Sequence, residues 1–594
     1  MLFSLYLPSN LLREMNYTLR FTRPAEHLAE VKCETEAVAG QTLTFHLARW
    51  RPGRYERQHY DRNLADLKAW VNDEPLPCTQ TSTHSWELTP AISGTLHMSW
   101  VFYADQPDAG GSYIDAQSIY LNPINLLLYQ PGQEHLPCAL TLELPPGYET
   151  GGALPGSGPK YLFEDLHHLF DTPFFAGNAL QQHLFRVQDL DVYLWFSGEC
   201  KPSWSLLEAD IRAYTQTQLD LFGSFPGSEF HYLFLILPYA YRHGVEHQYS
   251  TVIALGPGIR LDSPKAYTSL LEIASHEFFH CWNVKSLRPA DLLPYSYDKE
   301  VYSRLHYVTE GVTTYYGDLM LWKSRIWNVD QWLGSLNGEL LAHYDMGGKD
   351  FISLEESSFQ SWTNGYQKTG IPNRRISFYT KGYLAALIAD IEIRKATGNA
   401  ASLDDVMRHV YHSVVGAGRG YTREDYQQAL EQVSGISFEA YFNDYISGTA
   451  SLEPALRKVA DYMGFALGHF PPADPAAAWW GLSVSDAGAA VKVENILPDS
   501  PAQEAGLSKG DIIIAVNGLQ VEHNFAHLLR YFEHENGIEL HVFRMSKLYA
   551  LHISPIEQRS FTVPQFVRLS HLSPAQEQNL SAWQSLKRSV PHAP

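Results

Sequence analysis

Cysteine is scarce in this chain of 594 residues. The five are Cys33, Cys78, Cys138, Cys200 and Cys281, an odd and scattered set with no Cys-x-x-Cys pair. That excludes a disulfide framework and favours a reducing compartment. Positive charge is short too: 44 Lys and Arg stand against 65 Asp and Glu, for a net charge of −21. Neither nucleic acid nor an anionic membrane is expected as a partner. No apolar run approaches the ~20 residues that a membrane-spanning helix needs. Residues 1–8 are apolar but lack a basic flank and a small-residue cleavage site. They read as a poor signal peptide, so the expected location is the cytoplasm rather than the periplasm or the exterior. No internal repeat is visible.

What is present is the composition of a folded multidomain protein. Hydrophobic residues make up 45% and charged residues 18%, and the length implies roughly three or four domains. Residues 15–187 read as β-rich, with short alternating runs between Pro/Gly turns. In the run 41–47, Leu43, Phe45 and Leu47 share one face, and RPGRY at 51–55 is a turn. The expectation is a β-sandwich-like scaffold that supports a substrate wall and carries no catalytic constellation.

The texture changes from residue 190. Residues 203–222 suggest a helix, 231–237 a buried strand, HGVEHQYS at 243–250 a strand or its flank, and 251–255 another strand. Helices are expected over 302–327, 374–395 and in pieces over 402–449, with Thr422 as an N-cap. Together these form an expected second domain, 188–465. Residues 470–478 read as a linker. A third domain is expected over 470–557, with a tight turn at Asn517-Gly518. The tail 558–594 is polar and expected to be loosely ordered.

The stretch with chemical content is HEFFH at 276–280. Ser263 before Pro264 marks the start of a helix that would carry it. On a helix, positions i and i+4 share a face, so His276 and His280 can grip one metal ion while Glu277 projects towards water. With 26 histidines, the motif alone can arise by chance, so a third ligand matters. Glu310 lies on a helical stretch 30 positions beyond His280. Asp291, Asp298 and Glu300 sit in the intervening loop and are less well held. Cys281 reads as a buried spectator thiol. His243 and His247 read as pocket wall or surface.

Several stretches together resemble the glycyl aminopeptidase family of zinc peptidases (metallopeptidase family sixty-one). They are HEFFHCWNVKSLRP at 276–289, VTEGVTTYY at 308–316, YTKGYL at 379–384, HGVEHQYS at 243–250 and RWRPGRY at 49–55. The resemblance spans roughly residues 17–560. DSPAQEAGLSKGDIIIAVNG at 499–518 resembles a PDZ domain of the bacterial protease type. The resemblance implies a multidomain α+β protein: an N-terminal β-domain, a thermolysin-like (gluzincin) catalytic domain with a helical C-terminal part, and a PDZ domain. It implies one Zn²⁺ per chain held by His276, His280 and Glu310. It also implies Glu277 as general base, Tyr379 as stabiliser of the tetrahedral intermediate, and Gly244 and Glu246 at the substrate, with Glu246 pairing the free α-ammonium. Gly481 and Leu482 would cradle a peptide C-terminus at the PDZ domain.

One departure stands out. The family's pattern carries two glycines ahead of the residue before this glutamate, and His243 replaces the first, where a side chain is expected to narrow or re-aim the pocket.

These residue types suit hydrolysis. Two imidazoles and a carboxylate leave Zn²⁺ an open position, from which it acidifies water and polarises a carbonyl. Glu277 would take the water proton and pass it to the leaving amine. The expected activity is removal of small, Gly- or Ala-like residues from peptide N-termini. Two rivals are a zinc endopeptidase whose PDZ domain captures substrate C-termini, and a PDZ adaptor with an inactive peptidase domain.

Overall fold

The computed structural model describes residues 14–365, 370–486, 488, 490–554 and 561–586. The expectation for residues 1–8 lies outside these. The chain divides into two compact units, one reaching to Val301 with Gly418–Gly420, the other Tyr302–Ala417 with Tyr421 onward.

Period-two burial builds the start of the first unit. In Met15–Arg23 and Leu28–Ala37 every second side chain is buried along most of the strand. These strands and Gly94–Tyr103 form the middle of a seven-stranded sheet. A four-stranded sheet contains Leu43–Leu47. Leu43, Phe45 and Leu47 are buried in one core with Tyr17, Leu19, Trp100 and Phe102 from the larger sheet. This is the expected sandwich. The turn at 51–55 is present, closed by an Arg51–Arg54 bridge around Gly53 at φ +84°.

A five-stranded sheet follows, in the order Gln181–Val187, Leu190–Ser197, Glu229–Ile236, Ser250–Gly256, Tyr241–Glu246. Its first two strands form a hairpin across residues 187 and 188. The expected domain boundary there therefore falls inside a paired element, and the sheet begins at Gln181. Tyr241–Glu246 is an edge strand, antiparallel to Ser250–Gly256. The helix Pro264–Phe279 lies beside it and also packs on the helix Trp204–Phe222, where the Gln218 amide donates to the Ser275 carbonyl at 3.0 Å. Phe278 fills the space between Phe225, Phe230 and Tyr232.

The second unit begins with helices. The one expected over 302–327 starts later, as a wide π-type turn Tyr307–Val312 that continues into Thr313–Lys323. The one expected over 374–395 also starts late, at Thr380–Thr397. The Ser377 hydroxyl accepts the Thr380 N–H and begins that helix there. Thr422 caps Arg423–Ser434 as expected.

Two expectations for this unit are corrected. The 470–478 linker is the end of the strand Phe465–Phe470 followed by a short helix, Pro475–Trp480, whose first turn is capped by Asp474. Trp479 and Trp480 anchor that helix in the core of the six-stranded sheet that follows, with Val493, Ile513, Val516 and Leu540. The tail is not loose over its described part. Val563–Arg568 pairs with Phe465–Phe470, and the helix Pro574–Gln584 buries Trp583 completely. Polar composition misleads here because a few residues do the anchoring. Val563 and Phe566 are buried. The Gln576 and Asn579 amides donate to the Asp461 and Tyr462 carbonyls. The Trp583 indole N–H points at both the Asp390 carboxylate and the Tyr315 hydroxyl, 3.1 Å from each. The Asn517-Gly518 turn closes a hairpin with both residues at positive φ. Among the described residues, no helix is long and apolar enough to cross a membrane.

Candidate active site

Ser263 accepts the Ala266 N–H and Pro264 occupies the first turn, so the motif helix starts where the sequence indicates. Twelve and sixteen residues after Pro264 it delivers His276 and His280 to one face, with Nε2 atoms 3.0 Å apart. Just beyond, Cys281–Ser286 widens into a π-type turn that breaks at Asn283 (φ −110°, ψ 85°). Such widened turns recur at functional sites. Here it swings the Asn283 carbonyl back to within 2.8 Å of His280 Nδ1. A carbonyl can only accept, so Nδ1 carries the proton and the Nε2 lone pair faces His276. Burial, then the neighbouring His280, holds the His276 pKa well below its usual range. Two imidazole nitrogens converging in this way, one of them on a neutral ring and the other with its tautomer set by Asn283, are the donor set that zinc takes. Cys281 is fully buried and burial pushes its thiol pKa far up, which leaves it a spectator.

Glu277 is 5% exposed and faces the edge strand. A Cβ added at Gly244 would sit 2.1 Å from Glu277 Oε1 and 2.9 Å from Ile273 Cδ1. Glycine at 244 is thus the condition for the carboxylate to lie against the strand. Two residues on and therefore on the same face, Glu246 reaches the same place: ligand atoms of Glu246, Glu277 and His280 all lie within 4.8 Å of one another. Side chains at 243 and 245 point the other way. Val245 packs with Ala109, Tyr120 and Phe175 of the β-rich domain. His243 Nδ1 lies 3.9 Å from Asp108, and burial, followed by Arg51, lowers its pKa to about 4. The side chain expected to crowd the substrate backbone therefore turns away from Glu277.

Sequence reasoning missed three contributors. Gly53, read only as a turn residue, lies so close to Glu246 that a Cβ there would be 2.3 Å from Oε1. The β-rich domain is thus part of the site's wall. Asn283 acts through its carbonyl, which no side-chain motif can reveal. His247, read as wall or surface, is buried and bonded to Asp171.

The second unit carries the other expected residues. Glu310 is buried in the π-type turn, and Tyr379 precedes the helix Thr380–Thr397. Their helices cross at glycine on glycine. A Cβ on Gly311 would meet Gly382 Cα at 2.5 Å and the Phe378 carbonyl oxygen at 2.8 Å. In the PDZ region, Gly481 ends a helix at φ +62°, and its carbonyl accepts the Leu497 N–H at 2.8 Å. The Leu482 side chain belongs to the core, so only its backbone is available to a peptide. The Phe561 ring covers Gly481, 2.9 Å from where a Cβ would stand.

Three regions of the chain match models of known families. The family model for the Peptidase M61 N-terminal domain matches residues 16–178, that for the M61 glycyl aminopeptidase residues 269–385, and that for a PDZ domain residues 492–540. Among solved structures, an aminopeptidase N family protein from Idiomarina loihiensis is 26% identical, with 96% of this chain and 100% of that one covered and a TM-score of 0.88. An M1 zinc metallopeptidase from Deinococcus radiodurans is 14% identical over 74% of this chain and 94% of that one, with a TM-score of 0.45. No curated protein is significantly similar in sequence. The chain belongs to the M61 glycyl aminopeptidase family of metallopeptidases and carries a PDZ domain after its peptidase region.

Proposed function

We propose that this metallopeptidase is a zinc aminopeptidase that removes small residues from peptide N-termini. The observation that carries the reading is the Glu246 carboxylate, 6% exposed, converging with Glu277 and His280 from an edge strand. An extended peptide can add to the free edge of Tyr241–Glu246. Its α-ammonium would lose water on entering and needs a compensating charge, which Glu246 supplies. Gly53 and Gly244 bring backbone close to both carboxylates, which favours a short side chain at the substrate's first position. His276, His280 and Glu310 are the proposed ligands of one zinc ion, which when bound would polarise the scissile carbonyl and acidify the attacking water. Glu277 takes the proton from that water and hands it to the leaving amine. The Tyr379 hydroxyl donates to the developing oxyanion, a contribution of ~3 kcal/mol. At the PDZ domain, Gly481 and Leu482 remain the proposed cradle for a peptide C-terminus, which would have to displace Phe561. All five cysteines are free thiols, in keeping with a cytoplasmic protein.

The test compares glycyl and alanyl peptides with their N-acetyl forms on zinc-loaded enzyme. Cleavage confined to the free-amine forms is expected. Equal cleavage of the blocked forms would establish the endopeptidase alternative, and absence of both zinc and activity after zinc addition would establish the adaptor.

A further inference from the structure

Asp171 follows the short helix Leu166–Phe170 of the β-rich domain, but its carboxylate is spent on the catalytic sheet. Oδ2 accepts the Gln248 N–H at 2.8 Å. Oδ1 accepts from His247 Nδ1 at 3.0 Å and from the Lys285 ammonium at 2.7 Å. Lys285 is only 3% exposed. Burial alone would raise the Asp171 pKa, but Lys285 and His247 hold it below the usual carboxylate range. The pair is therefore charged at neutral pH.

The two segments tied together by this carboxylate are the ones that matter for recognition. His247 and Gln248 directly follow Glu246. Lys285 lies in the π-type turn whose Asn283 carbonyl orients His280. Gln248 and Ser286 join the same segments again, with the Gln248 amide donating to Ser286 Oγ at 3.3 Å and Ser286 Oγ donating to the Cys281 carbonyl at 2.7 Å. Beside the clamp lies a cavity of about 180 Å³ lined in part by Asp171, Gln248, Lys285 and Arg288. Where close packing is missing, hydrogen bonds have to fix position.

We propose that Asp171 is a positioning residue that sets Glu246 relative to His280, so that recognition of the substrate's free amine depends on the β-rich domain. The inference rests on the aminopeptidase reading. Removing Asp171 frees the end of the edge strand and lets Glu246 drift, which weakens capture of the α-ammonium ahead of any change in the chemical step.

The experiment uses two full-length variants, Asp171→Asn and the double variant Asp171→Leu/Lys285→Met. The double variant removes both charges, so that no lone ammonium is left buried to unfold the protein. Zinc content and melting temperature establish that each is folded and loaded. KM and kcat are measured on glycine p-nitroanilide, and binding of glycinamide and N-acetylglycinamide is measured by calorimetry. The wild type is expected to prefer glycinamide. A folded variant with full zinc content is expected to raise KM by about tenfold or more, within the range seen when supporting partners of a site are removed, and to lose most of the glycinamide preference while kcat changes much less. A folded variant that keeps both KM and that preference overturns the proposal. So does one in which kcat and zinc content fall together at constant KM, which would mark a purely structural role. A wild type that binds the two amides equally removes the aminopeptidase reading itself, and the role of Asp171 with it.

Discussion

Gly244→Ala separates catalysis from folding at a single methyl group. Gly244 has no positive φ, so alanine fits the backbone. Its Cβ would stand 2.1 Å from Glu277 Oε1, whereas ordinary contact begins at 3.4 Å. The carboxylate must then retreat by about 1.3 Å. The other close atom, Ile273 Cδ1 at 2.9 Å, is also the end of a flexible side chain, so the fold can yield at little cost. In the proposed role of general base Glu277 cannot move without loss, because a misplacement of about 1 Å costs roughly a hundredfold in rate, or about 2.7 kcal/mol of barrier. The assay is kcat on glycine p-nitroanilide, with zinc content and melting temperature as controls. We expect kcat to fall about a hundredfold with zinc retained and the melting temperature nearly unchanged. A kcat within about threefold of wild type, in a folded and zinc-loaded variant, would refute the placement of Glu277 as base against this strand.

Glu277→Gln is expected to keep zinc and lose turnover by about 10² to 10⁴, read as kcat beside metal analysis. Glu246→Ala is expected to raise KM on free-amine peptides more than tenfold, an ion pair's contribution, and to leave the binding of N-acetyl peptides unchanged; unchanged kinetics on free-amine peptides would remove its assigned role. The pH dependence of stability follows from buried histidines. Burial lowers the pKa of His243 to about 4, with Arg51 adding to the effect, and that of His343 to about 3. Both are near 6.5 when unfolded, so the unfolded chain binds more protons between these values and stability falls as pH drops below ~6.5. His343→Gln should flatten the melting temperature against pH over that window, and an unchanged profile would contradict the assignment. Trp583→Ala should destabilise by about 3–5 kcal/mol, seen as a lower melting temperature, since it empties a fully buried site and strips a donor from Asp390; no change would mean that the tail helix is dispensable.

The chemistry was legible wherever a local rule governs it. Period-two alternation at Leu43, Phe45 and Leu47 predicted their shared buried face. Ser263-Pro264 predicted the start of the motif helix, and the i, i+4 spacing predicted that His276 and His280 converge. The failures have a common cause. A polar tail looked loose because composition averages over residues, while a few of them, Val563, Phe566 and Trp583, supply the anchors. The segment 470–478 looked like a linker because its alanines and prolines resemble one until Trp479 and Trp480 find a core. The helix at Thr380 begins late because the Ser377 hydroxyl takes the Thr380 N–H and competes with propensity. At the start of the turn at Tyr307 the N–H goes to Ser358, far along the chain.

What the sequence by itself determined is the inventory: two histidines and a glutamate at helical spacing, a glutamate on a strand shortly before them, and glycines at the turns. Local chemistry suffices for these, because spacing along one helix or strand is set by backbone geometry. Tertiary structure alone decided that Gly53 and Asp171, both from the β-rich domain, reach Glu246 and the two residues that follow it. It also decided that His243 turns away from Glu277 while Gly244 turns towards it. Contacts between residues far apart in the chain depend on how whole sheets pack, and no window of sequence contains that information.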